Sequence, residues 1–419
     1  MELKDQFGRV ADDLRISLID KCNLRCTYCM PAEGMDWLNK TQVLTAEEAI
    51  RIADIGVRLF GIRDIRFTGG EPLVRRDLED IIAGVRALHP DVSIAITTNA
   101  IGLERRAVAL REAGLTRINV SLDTICPETF AKLARRDRLA DVLRGVQAAL
   151  DAGLSPVKIN AVLMRGINED GAADLLEWCL ERGLQLRFIE QMPLDADRQW
   201  SPDILVDASE IRSRLSERFV LSEAEEPRGS APAQLWNVRR RGSGVDVPAG
   251  GAEAREVELA GRPVVGDVSA EVRAGDVSAG VRAGDALGQV GVIASVTEPF
   301  CGACSRTRIT ADGKVRTCLF SHAETDLLQL LRGGASDDEI ADRWAAAMWL
   351  KPMSHGTTNG VPEAGDAADV ADAAAEIPKS GGPVPLNSPV FRRPKRSMSA
   401  IGGVIAGLAG ASPVGTCSD

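Results

Sequence analysis

The feature that most constrains the fold is a regular alternation of strand and helix patterns between Leu14 and Glu190. Six short apolar stretches of strand type recur, and helical patterns precede five of them. The predicted strands span residues 15–20, 65–69, 93–99, 117–123, 157–163 and 185–190. Repeated β-then-α units require a parallel sheet with right-handed crossovers. Because six strands are fewer than the eight of a complete barrel, we predict an α/β fold with a partial (β/α)6 TIM-type barrel. A doubly wound open sheet is the alternative.

Polar residues cluster where these strands end. The positions are Cys22, Gly69, Gly70, Glu71, Thr97, Thr98, Asn99, Ser121, Asp123, Glu190, Gln191 and Met192, with Asn160 inside the fifth strand. Parallel α/β folds build their sites at the carboxyl ends of the strands. Since polar residues also end strands for ordinary reasons, the whole set predicts a site more strongly than any single member does.

Composition narrows the class of protein. The chain has 419 residues, 45% of them hydrophobic, and a net charge of −10, which argues against non-specific nucleic-acid binding. It contains no apolar run of about 18 residues and no signal-peptide pattern, so we predict no membrane association and a cytoplasmic location. In that compartment the nine cysteines are expected to be metal ligands or free thiols.

Changes in amino-acid composition along the chain predict three regions. Residues 1–225 form the barrel, 226–352 a C-terminal region, and 353–419 a flexible tail. A low-complexity insert at 242–290 repeats a nine-residue unit, GDVSAEVRA and then GDVSAGVRA. Residues 360–390 are rich in Ala, Pro, Gly and acids and form a second predicted insert.

Cys22, Cys26 and Cys29 form the first cysteine group, spaced C-x3-C-x2-C directly after the first predicted strand. Thiolate is a soft ligand that suits iron–sulfur clusters. Three thiolates on a four-iron cluster leave one iron without a protein ligand, so that iron is open to another molecule. A zinc site completed by a distant ligand is the alternative.

The second cysteine group, Cys301, Cys304 and Cys318, has the spacing C-x2-C-x13-C, and His322 follows it. On spacing alone this group fits either zinc or a second iron–sulfur cluster. Arg306 and Arg308 alternate between these cysteines, so on a strand both point to one face.

Several cations occur on predicted strands. Two guanidiniums beside a metal site suit a phosphate-bearing ligand, although a solvated strand face would show the same alternation. Further cations lie on the predicted barrel strands at Arg15, Arg66, Lys158 and Arg187. Together they would form an anion pocket, whereas each alone fits an ordinary surface charge.

The first cysteine motif, with Tyr28 before its last cysteine and GGEP after the second strand, resembles the radical S-adenosylmethionine superfamily. Longer stretches are similar to the branch that cyclises GTP in the first step of molybdenum cofactor biosynthesis. They are LRISLIDKCNLRCTYCMP, IRFTGGEPLVRRDL, RFIEQMPL, FCGACSRTRITADGKVRTCLF and a late IGG. The resemblance covers about residues 5–225, 290–355 and 396–403.

The resemblance implies two 4Fe-4S clusters and S-adenosylmethionine as cofactors, with GTP as substrate. Each cysteine group would hold one cluster. Positions matching the S-adenosylmethionine site are Tyr28, Gly70, Ser121 and Met192. Positions matching the GTP site are Arg15, Arg66, Thr97, Lys158, Arg306, Thr307 and Arg308. Of these, Arg306 and Arg308 are the expected catalytic residues, and the expected product is (8S)-3′,8-cyclo-7,8-dihydroguanosine 5′-triphosphate.

The implied partners are an electron donor and a downstream cyclic pyranopterin synthase, with a homodimer as one arrangement, and no nucleic acid or membrane. Two other functions remain open. One is a different two-cluster radical enzyme that acts on a peptide or another small molecule. The other is a protein without catalysis, such as an iron–sulfur electron carrier or a zinc-stabilised binding module.

The chain departs from the resemblance at three places. Asp64 stands where a lysine is expected, which predicts weaker triphosphate binding, and Ala100 stands where glycine is expected. The Gly402-Gly403 pair, expected to end the chain, is followed by sixteen more residues. If the pair must reach the active site, the extension is expected to impair turnover.

Overall fold

The computed structural model describes residues 1–195, 200–241 and 286–354, and the backbone of 357–358 and 361–362. Most of the insert predicted at 242–290 lies outside the described residues. So do the second insert at 360–390, apart from that backbone, and the glycine pair at 402–403.

Strands and helices alternate through the first half of the chain. They are β1 Asp13–Ser17, α1 Ala46–Phe60, β2 Asp64–Thr68, α2 Leu78–Leu88, β3 Ser93–Thr98, α3 Ala107–Glu112, β4 Arg117–Ser121, α4 Pro127–Ala134, α5 Leu139–Asp151, β5 Val157–Leu163, α6 Ala172–Glu181 and β6 Gln185–Glu190. Local signals set the limits of α1. The Thr45 side chain accepts from the Glu48 amide in a capping box, and Gly61 ends the helix at φ 71°.

The second half adds shorter elements. They are α7 Ala208–Ser216, β7 Phe219–Glu223, β8 Gln234–Arg240, β9 Gly288–Ile293, β10 Arg306–Ile309, β11 Lys314–Arg316, β12 Thr325–Asp326, α8 Leu328–Arg332, α9 Asp337–Trp349, β13 Thr357–Thr358 and β14 Val361–Pro362. α9 packs on α1, where the rings of Trp344 and Phe60 meet edge to face with centroids 5.5 Å apart. Within the described backbone, the last two strands pair with each other and not with the main sheet.

The described strands β1 to β12 form a single sheet in the order β12-β11-β10-β1-β2-β3-β4-β5-β6-β9-β8-β7. β1 to β6 are parallel neighbours in chain order, and the sheet is extended in parallel by β10 beside β1 and by β9 beside β6. The two outermost strands do not pair with each other, so the sheet is open. The predicted partial barrel is confirmed.

Four predicted strands end one to three residues later than the observed strands, and the first differs most. The first strand ends at Ser17 rather than residue 20, because the apolar Leu18 and Ile19 already belong to the loop that leads to the first cysteines. The region boundary predicted after residue 225 falls between β7 and β8, which pair antiparallel in the same sheet. The division into regions therefore stays a prediction. Within the described residues, no helix has the length and apolar character needed to cross a membrane.

Candidate active site

The loop after β1 carries the first cysteine group, and a close backbone contact holds that loop. A Cβ on Gly70 would lie 2.2 Å from the Asp20 carbonyl oxygen and 2.4 Å from that of Lys21. Any side chain there would displace the loop just before Cys22. The Glu71 amide adds a hydrogen bond to the Lys21 carbonyl oxygen. Gly70, predicted as a cofactor-binding position, therefore also sets the position of the cysteine loop.

The three cysteines of this loop are half-buried. Burial raises the pKa of Cys22 to about 11, and burial together with the neighbouring Cys22 and Asp123 raises the pKa of Cys29 to about 12. Such thiols ionise once a metal supplies positive charge. Among the described residues, no three ligating side chains gather tightly enough for a single metal ion. The donor set fits an iron–sulfur cluster, in which each thiolate binds a different iron.

Tyr28 links the cysteine loop to the far side of the barrel. Its hydroxyl donates to the Asp123 carboxylate at 2.8 Å, and the Val162 amide donates to the same carboxylate at 2.9 Å. Burial raises the pKa of Asp123 to about 6, although these two hydrogen bonds oppose the rise. Tyr28 also lines a cavity of about 270 Å³ with Gln191 and Trp200. The ring therefore borders space beside the first cysteine group.

A second cavity, of about 190 Å³, joins the barrel interior to the second cysteine group. Its lining includes eight residues predicted from sequence, which are Arg15, Arg66, Met192, Cys301, Cys304, Arg306, Arg308 and Cys318. Arg187 and Asn160 line it as well. The structure thus brings most of the predicted metal and substrate positions to one space.

Three of these arginines form a row across adjacent strands. In the sheet register Arg308 of β10 lies beside Arg15 of β1, which lies beside Arg66 of β2. The Nε atoms of Arg15, Arg66 and Arg187 are buried and have no hydrogen-bond partner within the described part of the chain. Burial and mutual repulsion lower the pKa values of Arg66 and Arg308. Buried donors without acceptors are unfavourable unless a ligand supplies them.

The second cysteine group lies close to cations. Lys351 donates to the Cys304 sulfur at 3.3 Å, and the Arg306 Nε donates to the same sulfur at 3.3 Å. Burial would raise the pKa of Cys304, but these two charges outweigh it and lower the pKa to about 6. The positive surroundings thus favour the thiolate form of Cys304, which is the form that binds a metal. The Arg306 guanidinium also stacks on the Phe300 ring, 4.8 Å from its centroid.

The remaining predicted site residues lie outside the second cavity. Thr97, Ser121 and Lys158 are half-buried, and their strands place them beside the inner polar residues Asn119 and Asn160. Thr307 faces the other way, because its neighbours Arg306 and Arg308 take the cavity side of β10. Its hydroxyl accepts from the Trp344 indole N–H at 3.0 Å, in the core beneath α9. Any contact of Thr307 with a substrate therefore comes from its backbone.

Several residues of the site were not predicted as ligands. Asn119 accepts from the Arg187 guanidinium at 2.6 Å, and Lys351 reaches Cys304 from 47 positions along the chain. Glu190 was noted only as a polar residue at a strand end. A lysine after a helix carries no sequence signal of this role, since only folding brings it to the cysteine.

The opposite thiol pKa shifts lead to a prediction about the cluster-free protein. At pH 7 we expect iodoacetamide to label Cys304 faster than Cys22 or Cys29, since only Cys304 is largely thiolate at that pH. Time-resolved labelling followed by peptide mass spectrometry measures the three rates. Lys351→Met should lower the labelling rate of Cys304 and leave the labelling rates of Cys22 and Cys29 unchanged. Equal rates for the three cysteines, or no change in the variant, would contradict the prediction.

Comparison with known proteins agrees with this geometry. Residues 16–179 match the family described as the radical SAM superfamily, and residues 264–357 match the one described as Molybdenum Cofactor Synthesis C. A GTP 3′,8-cyclase of Paenarthrobacter nicotinovorans is 51% identical over 401 residues, 96% of this chain and 97% of the relative. That of Corynebacterium glutamicum (strain R) is 48% identical over 405 residues, 96% of this chain and 89% of the relative.

Among solved structures, Streptococcus suis SuiB bound to S-adenosylmethionine covers 50% of this chain and 47% of its own, at 19% identity and a TM-score of 0.42. The partial barrel and its three-cysteine loop define a radical S-adenosylmethionine enzyme. The similarity over nearly the whole length is more specific. The chain belongs to the GTP 3′,8-cyclase family. Membership confirms the predicted enzyme class and its cofactors, two 4Fe-4S clusters and S-adenosylmethionine.

Proposed function

We propose that this chain converts GTP into its 3′,8-cyclised dihydro product and binds GTP in the cavity between the arginine row and the second cysteine group. The observation that carries the proposal is the set of buried, unpartnered guanidinium N–H groups at Arg15, Arg66 and Arg187. Bidentate, permanently charged arginines are well suited to phosphate oxygens. In a site shielded from water, their attraction for a triphosphate is stronger than on an open surface.

The cavity has two chemically different ends, which fit the two ends of a nucleotide. The barrel strands supply the arginine row, whereas the other end carries Cys301, Cys304 and Cys318. Phe300 also lies at the cysteine end. The Arg306 guanidinium stacks on its ring, and so does that of Arg228, which lies between β7 and β8, 4.7 Å from the ring centroid. The triphosphate is thus assigned to the barrel end and the guanine to the cysteine end. Arg306 and Arg308 lie on β10, which follows Cys304, and Arg308 belongs to the arginine row.

The cofactors are assigned to the two cysteine groups. Cys22, Cys26 and Cys29 hold the first 4Fe-4S cluster, and Cys301, Cys304 and Cys318 hold the second. When bound, the first cluster together with S-adenosylmethionine would supply the radical chemistry that removes a hydrogen atom from the ribose of GTP. Met192 lines the cavity and packs against the cluster of Leu194, Trp200 and Phe320, which supports its assignment to S-adenosylmethionine beside the GTP region.

The protein's own contribution is placement and charge neutralisation. The arginine row fixes the triphosphate and so orients the ribose, while the apolar lining at Ile189, Ile293 and Phe320 limits water around a reactive radical. Tyr28, Gly70 and Ser121 are assigned to S-adenosylmethionine. Arg15, Arg66, Thr97, Lys158 and the backbone of Thr307 are assigned to GTP together with Arg306 and Arg308.

The proposed reaction also requires other proteins. A one-electron donor must reduce the first cluster, and a cyclic pyranopterin synthase must take up the product. The proposed location is the cytoplasm, where such donors and GTP are available. The proposed assembly is a homodimer.

An anaerobic turnover assay tests the function. The full-length protein is reconstituted with iron and sulfide and given dithionite and S-adenosylmethionine, with or without GTP. We expect 5′-deoxyadenosine to rise with GTP and an isomer of GTP with unchanged mass to appear by mass spectrometry. Deoxyadenosine without a change in GTP would reject the substrate and retain the radical chemistry. No cleavage of S-adenosylmethionine would instead favour an electron carrier or a binding module.

A further inference from the structure

Arg117, a residue with no role so far, extends the arginine row. The register that places Arg308 beside Arg15 and Arg15 beside Arg66 continues through Ala95 of β3 to Arg117 of β4. Two residues further along β4, Asn119 accepts from the cavity-lining Arg187. Because residues two apart on a strand share a face, Arg117 points to the same interior as Arg187.

A carboxylate on β2, two strands away, holds this arginine across β3. The Arg117 Nη2 donates to the Asp64 Oδ1 at 2.5 Å, and within the described residues Asp64 is its ion-pair partner. Asp64 is two residues before Arg66 and shares its face. The same arrangement recurs next to it, where Asp13 of β1, beside Asp64 in register, accepts from Arg15 at 3.4 Å. A row of acids thus lies behind the row of arginines and orients it.

Arg117 and Asp64 lie next to the cavity-lining Arg66 and are themselves partly exposed. The residue between Arg66 and Arg117 in the row is the small, buried Ala95, and the ion pair of Arg117 with Asp64 crosses this interval of two strand spacings, about 10 Å. The Arg117 side chain keeps 27% of its surface exposed and Asp64 keeps 39%, so the pair is not sealed in the core. Lys158 lies beside Asn119 in the sheet register, close to the same arginines. Burial and the charges of Arg187 and Arg117 lower the pKa of its amine to about 8.

We propose that Arg117 binds the terminal phosphates of GTP and that Asp64 orients it for that contact. The inference rests on the proposed function, since it takes GTP as the ligand of the cavity. It also bears on the departure at position 64, where a lysine was expected and weaker triphosphate binding was predicted. The cation that position 64 lacks is supplied from β4, two strands away, and the carboxylate at 64 serves as its support.

A binding experiment on the reconstituted full-length protein tests the inference. Affinities for GTP and for GMP are measured under anaerobic conditions for the unmodified protein and Arg117→Gln. Loss of a charged hydrogen bond to a phosphate should weaken GTP binding about tenfold or more, with GMP binding changed by less than about twofold. Arg144→Gln is the matched control, because Arg144 pairs with Glu104 and Asp141 on the outer surface of α5. It should change neither affinity.

A charge relocation separates ligand binding from a structural role. Asp64→Lys combined with Arg117→Ser moves the cation back to β2 and should restore GTP affinity to within about threefold of the unmodified protein. An unchanged GTP affinity in Arg117→Gln, or equal losses for GTP and GMP, would overturn the inference while leaving GTP turnover in place. If the unmodified protein binds GMP and GTP equally or not at all, the triphosphate site itself is wrong, and the proposed function fails with it.

Discussion

Cys26→Ala and Cys304→Ala are expected to abolish formation of the cyclic product for two different reasons. Cys26 belongs to the group assigned to S-adenosylmethionine cleavage, so its loss should stop formation of 5′-deoxyadenosine. Cys304 belongs to the group at the GTP end, so its variant should still cleave S-adenosylmethionine and leave GTP unchanged. Each variant should bind about four irons per chain after reconstitution instead of about eight.

Iron and sulfide analysis, electron paramagnetic resonance of the reduced protein, and deoxyadenosine quantification measure these outcomes together. The matched control is Cys126→Ala, because Cys126 is exposed and lies outside both groups. It should retain both clusters and full turnover. Retention of about eight irons in Cys304→Ala would contradict the assignment of the second cluster. Loss of deoxyadenosine in Cys304→Ala with the first cluster intact would contradict the division of labour.

Glu190→Ala is expected to cause the largest loss of stability among single substitutions in the site. Its fully buried carboxylate, at the end of β6, accepts from the amides of Ala208, Val296 and Thr297 and from the Thr297 hydroxyl. Removing it leaves three amides without this acceptor, and the one at Ala208 is fully buried. We expect a loss of about 3–5 kcal/mol in the free energy of unfolding.

Urea unfolding followed by tryptophan fluorescence measures this loss. Glu190→Gln keeps one acceptor oxygen and should lose about half as much, whereas the exposed Glu217→Ala should stay within about 0.5 kcal/mol of the unmodified protein. The segment fixed by Glu190 leads directly to Phe300 and Cys301. We therefore also expect Glu190→Ala to bind less iron at the second cysteine group. Equal unfolding midpoints for Glu190→Ala and Glu217→Ala would rule out this role for the carboxylate.

The connection made by Glu190 explains how one sheet can hold two cofactor sites. β6 carries the carboxylate, and the segment after β9 supplies two of the amides that it accepts. On the opposite side, β10 pairs with β1 and brings Arg308 beside Arg15 and Arg306 beside Asp13. The segment that carries the second cysteine group is thus attached to both edges of the six parallel strands, at β1 and at β6. Its position relative to the arginine row is therefore determined by strand pairing as well as by its own loop.

The sequence alone determined the features that depend on neighbours along the chain. The hydrophobic period predicted the bounds of β5 and β6 correctly, and the Thr45–Glu48 spacing with Gly61 predicted both ends of α1. The cysteine spacings predicted both metal groups in the same way: Cys22, Cys26 and Cys29 lie in one loop, and the β10–β11 pair separates Cys304 from Cys318. Strand alternation also implied that Thr307 opposes Arg306 and Arg308, although it was grouped with them.

Only the tertiary structure decided which distant residues meet. Nothing near Lys351 in the sequence predicts its contact with Cys304, and nothing near Asp64 predicts its ion pair with Arg117. These contacts depend on strand order and register, which follow from the packing of the whole sheet. The sequence pattern of a charged residue on a strand is the same whether its side chain faces solvent or an enclosed cavity. The fold places these charges in one interior, where low water access makes their interaction with a phosphate strong.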